Sequence, residues 1–224
     1  MKGLDSVAPM RAQGTADLIA DQLRERILDG SFAAGEPINE VHLAARLEMS
    51  RGPVREAVQR LVQEGLLTSV RNRGTSVVQL GQADIADIYQ GRAAVEREAA
   101  RVVINREHSE LLTALDGVIL QMRAALKGRS WGEVARADLK FHQTIVDAAQ
   151  SRRLSKMFST LVVETLLCIH MFENIYDPPE GIVAQHQRLI DLLRAGDEAA
   201  YLSEIDWHLK NSVKTLSAAE PTAN

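Results

Sequence analysis

Long apolar runs are missing from this 224-residue chain. None approaches the ~18 to 20 residues that a bilayer-spanning helix needs. The longest, "TLVVETLLCIHMF", is broken by Glu164 and His170. The opening "MKGLDSVAPMRAQG" has no continuous apolar core of the kind a secretory signal carries. Cysteine is nearly absent too: Cys168 stands alone, which excludes an internal disulfide and fits a reducing cytoplasm. Catalytic signatures are lacking, with no G-x-S-x-G, no P-loop and no H-E-x-x-H. There is also no internal repeat and no low-complexity tract. What is present is 46% hydrophobic and 25% charged residues, the balance of a globular protein. The length suits one large domain, or a small one joined to a medium one.

The net charge of −4 argues at first against a nucleic-acid partner. Its distribution argues otherwise. Residues 1–80 hold ten basic and ten acidic side chains, while the rest holds sixteen and twenty. Within the neutral part, Arg51 to Arg73 contains five arginines against two glutamates, a local +3. Any DNA binding belongs to that stretch.

Residues 1–13 and 217–224 read as flexible tails. From Thr15 to Leu28 the apolar positions Leu18, Ile19, Leu23, Ile27 and Leu28 make a helical stripe. "DGSFAAGEPINE" breaks it with Gly30, Gly35 and Pro37. A short helix in "NEVHLAARLE" leads to a second in "RGPVREAVQRLVQ", with Ser50 or Gly52 as cap, Pro53 in the tolerant first turn and Gly65 as the stop. "LLTSVRNRGTSVVQL" then reads as a hairpin around "RNRG". Helix, turn, helix and hairpin is the order of a winged helix-turn-helix spanning residues 14–80. The second helix of such a unit enters the major groove. Arg51 and Arg55, one turn apart, would point at DNA together. Arginine suits that task because its planar fork matches a guanine edge or a phosphate. Arg71 and Arg73 at the hairpin tip would reach the minor groove or phosphates.

"LAARLEMSRGPVREAVQRLVQEGLLTSVRNRGTSV" resembles the signature of the GntR family of bacterial transcription regulators over about thirty-five residues. Gly52 stands where the family usually has threonine, which removes a hydroxyl that could cap the helix or touch phosphate. Met49 replaces the usual valine. The resemblance implies that Ser50, Arg51, Arg55, Arg71 and Arg73 contact a double-stranded operator.

Beyond Leu80 the strand signals stop, and six helical segments follow, at about 83–105, 108–127, 131–149, 152–175, 180–194 and 197–216. Short connections between them imply an antiparallel six-helix bundle over residues 81–216, so the chain is mainly α. In "DLKFHQTIV", Asp138 and His142 lie at i and i+4 on a face shared with Ile145 and Ala149, so both point inward. His186 shares a stripe with Ile182, Leu189 and Leu193, and His208 one with Tyr201, Ile205 and Ser212. Three imidazoles and one carboxylate converging from three helices would suit a divalent transition metal, zinc first, with nickel or manganese as alternatives. Local hydrogen bonding between Asp138 and His142 is the competing reading.

The helical region resembles the FCD effector domain of FadR-type GntR regulators, in its shorter VanR-like branch. That domain carries D-x-x-F-H on one helix and a histidine on each of two later ones. Asp138, His142, His186 and His208 fill all four positions of its metal-binding version. The resemblance also implies an effector pocket near Arg92 and Glu96, with Arg92 gripping a small organic acid; an ordinary surface ion pair between the two is the alternative. His170 and Asn174, on a helix lining the bundle, are further effector candidates. The expected protein is thus a cytoplasmic homodimeric regulator, in the usual family pattern a repressor released from a palindromic operator by a metal-bound carboxylate. A metal-dependent enzyme on the bundle is the rival reading. It lacks a placed general base and has no use for a winged helix.

Overall fold

The computed structural model describes residues 14–171 and 181–217; within that set, the side chains of Trp131, His170 and Met171 are not described. The expected tails therefore lie outside the described residues, save that the last helix runs through Ser217.

Helix α1 spans Thr15–Leu28, α2 Glu40–Arg46 and α3 Arg51–Gln63. Asn39 starts α2 by accepting from the backbone N–H groups of Val41 and His42, which have no partner inside the helix. Ser50 occupies the capping position of α3, but its side chain makes no cap bond. Gly65, at φ +82°, ends α3 in the left-handed region where glycine is favoured. The hairpin follows as β2 (Leu67–Val70) and β3 (Gly74–Val77), with Val70 opposite Gly74 and Asn72 left-handed in the three-residue turn. A third strand was not anticipated from the sequence: β1, Pro37–Ile38, pairs antiparallel with β3, so the sheet order is β1-β3-β2. Pro37 sits on an edge strand, where its missing N–H breaks no ladder. Leu18 departs from the expected stripe; it is 55% exposed, while Ile19, Leu23 and Ile27 are buried.

Six further helices are described after the sheet: α4 (Gln82–Ile104), α5 (Ser109–Gly128), α6 (Trp131–Ala148), α7 (Arg152–Met171), α8 (Ile182–Ala195) and α9 (Glu198–Ser217). Gly81 N–H donates to Asp84 Oδ2 at 2.7 Å and fixes the start of α4. Gly196, at φ +68°, lets the chain turn from α8 into α9.

Two apolar cores result. One joins α1, α3 and the sheet; the other runs through the six-helix bundle. Helix α7 belongs to both. Phe158, Cys168 and Ile169 are buried in the bundle core, whereas Leu167 is buried in the core of the N-terminal module and Val163 packs against it. Glu164, between them, lies under Gly65, where an added Cβ would come 3.5 Å from its Oε1.

Candidate metal centre and nucleic-acid interface

The N-terminal module presents its basic residues unevenly. Arg60 pairs with Asp17 and, at 3.2 Å, with Glu64; Arg24 grips both oxygens of Glu64 at 2.9 Å. That network ties α3 to α1. Ser50, Arg51 and Arg55 are exposed at the start of α3, and Arg71 and Arg73 are exposed at the hairpin tip. Among the described residues, none of these four guanidiniums has an ion-pair partner. Four charged forks left to solvent on one module make a surface suited to a polyanion.

Inside the bundle, α6 contributes Asp138 and His142, α8 His186 and α9 His208. Each offers one potential ligand atom, and the four lie within 4.8 Å of one another. The rings of His142, His186 and His208 stand 4.8 to 5.2 Å apart, centre to centre. His142, His186 and His208 are buried, and Asp138 is nearly so.

The hydrogen bonding around these rings is informative. His186 Nδ1 lies 2.8 Å from the Ile182 carbonyl oxygen, which can only accept, so Nδ1 carries a proton. In the Nδ1–H tautomer, Nε2 is the ring nitrogen with the lone pair. It faces Asp138 Oδ1 at 3.1 Å without forming an aligned hydrogen bond. Two buried acceptors so close need a shared positive charge between them, which a proton or a metal ion supplies. His142 Nδ1 approaches Glu96 Oε2 to 2.7 Å, off the ideal line, and its Nε2 is buried without a partner. His208 Nδ1 lies 3.1 Å from Gln185 Oε1.

The electrostatics agree. Burial pushes the Asp138 carboxyl up, but the His186 ring 3.1 Å away, followed by His142 and His208, holds it well below the usual carboxylate range. Burial first, then the neighbouring His186 and His142, push His208 well below its ordinary value, so that imidazole is neutral with a lone pair to give. Three imidazoles and one carboxylate, with His142 Nε2 and His186 Nε2 unsatisfied among the described residues, fit a divalent transition metal ion.

Behind this cluster stands a buried ion pair on α4. Arg92 Nε donates to Glu96 Oε1 at 2.8 Å, with the two side chains only 1% and 4% exposed. The pair is interior, and the surface alternative is excluded. The Arg92 guanidinium also lies 4.8 Å from the centre of the Tyr89 ring and 5.9 Å from that of Phe158. Its Nη2 is buried and makes no hydrogen bond among the described residues. Glu96, anticipated as an effector contact, has both oxygens engaged inside the protein. Burial pushes its carboxyl up, but His142 and then Arg92 outweigh that and lower it. The side chain of His170 and the whole of Asn174 fall outside the described residues. Gln185 had no signal in the sequence, because nothing in its spacing distinguishes it from an ordinary half-buried glutamine.

Family comparison identifies the two modules. Residues 15–77 match the bacterial regulatory proteins of the gntR family, and residues 87–211 match the FCD domain. This chain is a GntR-family transcription regulator with an FCD domain. It is 30% identical over 187 residues, covering 82% of each chain, to the "Probable D-xylose utilization operon transcriptional repressor" of Paenarthrobacter nicotinovorans. It is 27% identical over 192 residues to the gluconate operon transcriptional repressor of Bacillus licheniformis, covering 84% of this chain and 79% of that one. A crystal structure of a GntR regulator from Rhodococcus sp. RHA1 superposes with a TM-score of 0.77 at 25% identity, covering 92% and 98% of the two chains. GntR regulators bind operator DNA and answer to small molecules, and the chain is a regulator rather than an enzyme. No described helix is long and apolar enough to cross a membrane.

Proposed function

We propose that this GntR regulator is a cytoplasmic homodimer whose 14–80 module reads a palindromic operator and whose 81–216 module binds a divalent metal and a small organic acid. The observation that carries the reading is the buried cluster of Asp138, His142, His186 and His208, with His142 Nε2 and His186 Nε2 making no hydrogen bond among the described residues. These four residues hold the metal, zinc in the first instance, with nickel or manganese as alternatives. When bound, the metal supplies positive charge that anchors a carboxylate.

Arg92 is the second anchor, because its Nη2 is a buried donor without an acceptor. Glu96 fixes the guanidinium through Nε. His170 and Asn174 are assigned to the same pocket on sequence grounds. Ser50, Arg51, Arg55, Arg71 and Arg73 contact DNA, and two-fold symmetry matches two recognition helices to two half-sites. The acid acts by favouring one placement of the reading modules. A ~100-fold change in operator affinity requires a coupling of ~2.7 kcal/mol. Relatives named as repressors of sugar-utilisation operons favour release of DNA by the ligand.

The test is thermal unfolding of chelator-stripped and zinc-reloaded protein against a panel of small carboxylates. Ligands that prefer the folded state raise the melting temperature by mass action, about 2.7 kcal/mol at ~100 times Kd. Stabilisation by zinc, by an acid only when zinc is present, and loss of both in His186→Ala is the expected result. Unchanged metal per chain in His186→Ala would overturn the ligand assignment.

A further inference from the structure

Neutral imidazole has one N–H and one lone pair, so an acceptor placed at Nδ1 decides that the lone pair is on Nε2. Each of the three clustered histidines has such an acceptor, and each acceptor is of a different kind. For His186 it is the Ile182 carbonyl, one turn back on α8, at 2.8 Å. For His142 it is Glu96 Oε2, 2.7 Å away though off the ideal hydrogen-bond line. For His208 it is Gln185 Oε1 at 3.1 Å.

We infer that Glu96 and Gln185 are positioning residues that hold His142 and His208 as Nδ1–H tautomers with Nε2 turned into the cluster, and that the two holds differ in strength. The inference rests on the proposed four-residue metal site and adds which residues prepare it.

Glu96 is the stronger hold. It is a carboxylate, its other oxygen is fixed by Arg92 at 2.8 Å, and all three groups are buried. A charged acceptor polarises the imidazole more than a neutral one and makes Nε2 a better donor to metal. Clamped at both oxygens, the carboxylate has little freedom to swing away. Gln185 is the weaker hold. It is uncharged and only half-buried, and no second hydrogen bond holds it among the described residues. It precedes His186 on α8, so that helix supplies one candidate ligand directly and orients another on α9. His142 is therefore the best prepared of the side-chain-held pair, and His208 is the one that yields first.

The experiment uses the full chain with 15N-labelled histidine. Long-range 1H–15N spectra of metal-free protein at about pH 8, above the ordinary histidine value, report each tautomer directly. Zinc affinity is read by competition with a chromophoric chelator. Wild type is expected to show Nδ1–H at His142, His186 and His208. Gln185→Leu strands no buried charge and should convert His208 to a tautomer mixture, leave His142 unchanged and weaken zinc less than tenfold. Glu96→Gln should weaken zinc by about ten- to a hundredfold. If Glu96→Gln does not fold, Gln185→Leu alone decides.

An Nε2–H tautomer at His208 in wild type, or Gln185→Leu with unaltered tautomer and zinc affinity, overturns the inference. Nδ1–H tautomers that respond to the variants in a chain that binds no zinc would uphold the positioning and overturn the metal reading. Zinc bound through Asp138 with tautomers indifferent to both variants would do the reverse.

Discussion

Leu167→Ala is the most direct test of how the two modules are joined. Leu167 is carried by a bundle helix, yet it is 4% exposed and sits in the core built by α1, α3 and the sheet. Truncating a buried leucine costs the transfer of the lost atoms plus a term for the cavity, within about 2.7–5.0 kcal/mol. The site lies at a seam, where α7 and α1 can close in part, so the lower half of that range applies, roughly 3 kcal/mol. In a chain of this length each kcal/mol moves the midpoint by about 2–4 °C, giving a fall of roughly 6–12 °C. Calorimetry of the metal-free chain measures it, and Leu120→Ala is the control. Leu120 is 68% exposed, and a surface truncation should stay within about 0.5 kcal/mol. Hydrogen exchange adds location: amides of α3 should lose protection in Leu167→Ala. A midpoint shift no larger than the control's would refute the shared-core argument.

Three other outcomes are expected. Arg55→Ala should cost about 1–3 kcal/mol of operator affinity in a gel-shift titration, with midpoint and dimer unchanged, because Arg55 is exposed and has no ion-pair partner among the described residues. Burial first, then Asp87 and Asp84, hold the Glu164 carboxyl above its ordinary value. The folded chain thus binds this proton more tightly than the unfolded chain. The contribution is full below the ordinary glutamate value and is lost as pH rises through the raised one. Glu164→Gln should therefore melt higher than wild type at neutral pH and lose that part of the pH dependence, as melting curves between about pH 4 and 8 would show. Cys168 is buried, and its thiol is pushed up to about 12 by burial, then by Glu164 and Asp84. It should resist thiol reagents at neutral pH until the chain unfolds; rapid labelling of native protein would contradict this.

The sequence displayed what depends on local spacing. Arg51, Pro53 and Gly65 delimit a helix by rules that operate within one turn, and "RNRG" between β-branched runs marks a hairpin. Asp138 and His142 share a face by periodicity alone. What escaped depends on partners far along the chain. Strand β1 exists because Pro37 and Ile38 meet Ser76 and Thr75, and two residues are too few to show alternation. Leu18 reads as core because the stripe admits it, yet its side of α1 meets no neighbour that buries it. The Arg92–Glu96 spacing is that of any surface pair, and only the packing of α4 against α6 and α9 makes it interior. Gln185 and Leu167 acquire their roles from α9 and α1, neither of which leaves a mark on the residue's own surroundings.

The depth of the four-residue cluster has a kinetic consequence. With the three imidazoles buried and Asp138 13% exposed, an ion at the proposed site would be bound through groups that solvent reaches mainly along the Asp138 edge. Its residence time would then depend on local opening of the bundle as well as on the strength of its bonds. On the proposed reading such an ion would persist through many encounters with a passing metabolite. It would behave as a fixed fitting of the protein, while the organic acid would be the part of the signal that comes and goes.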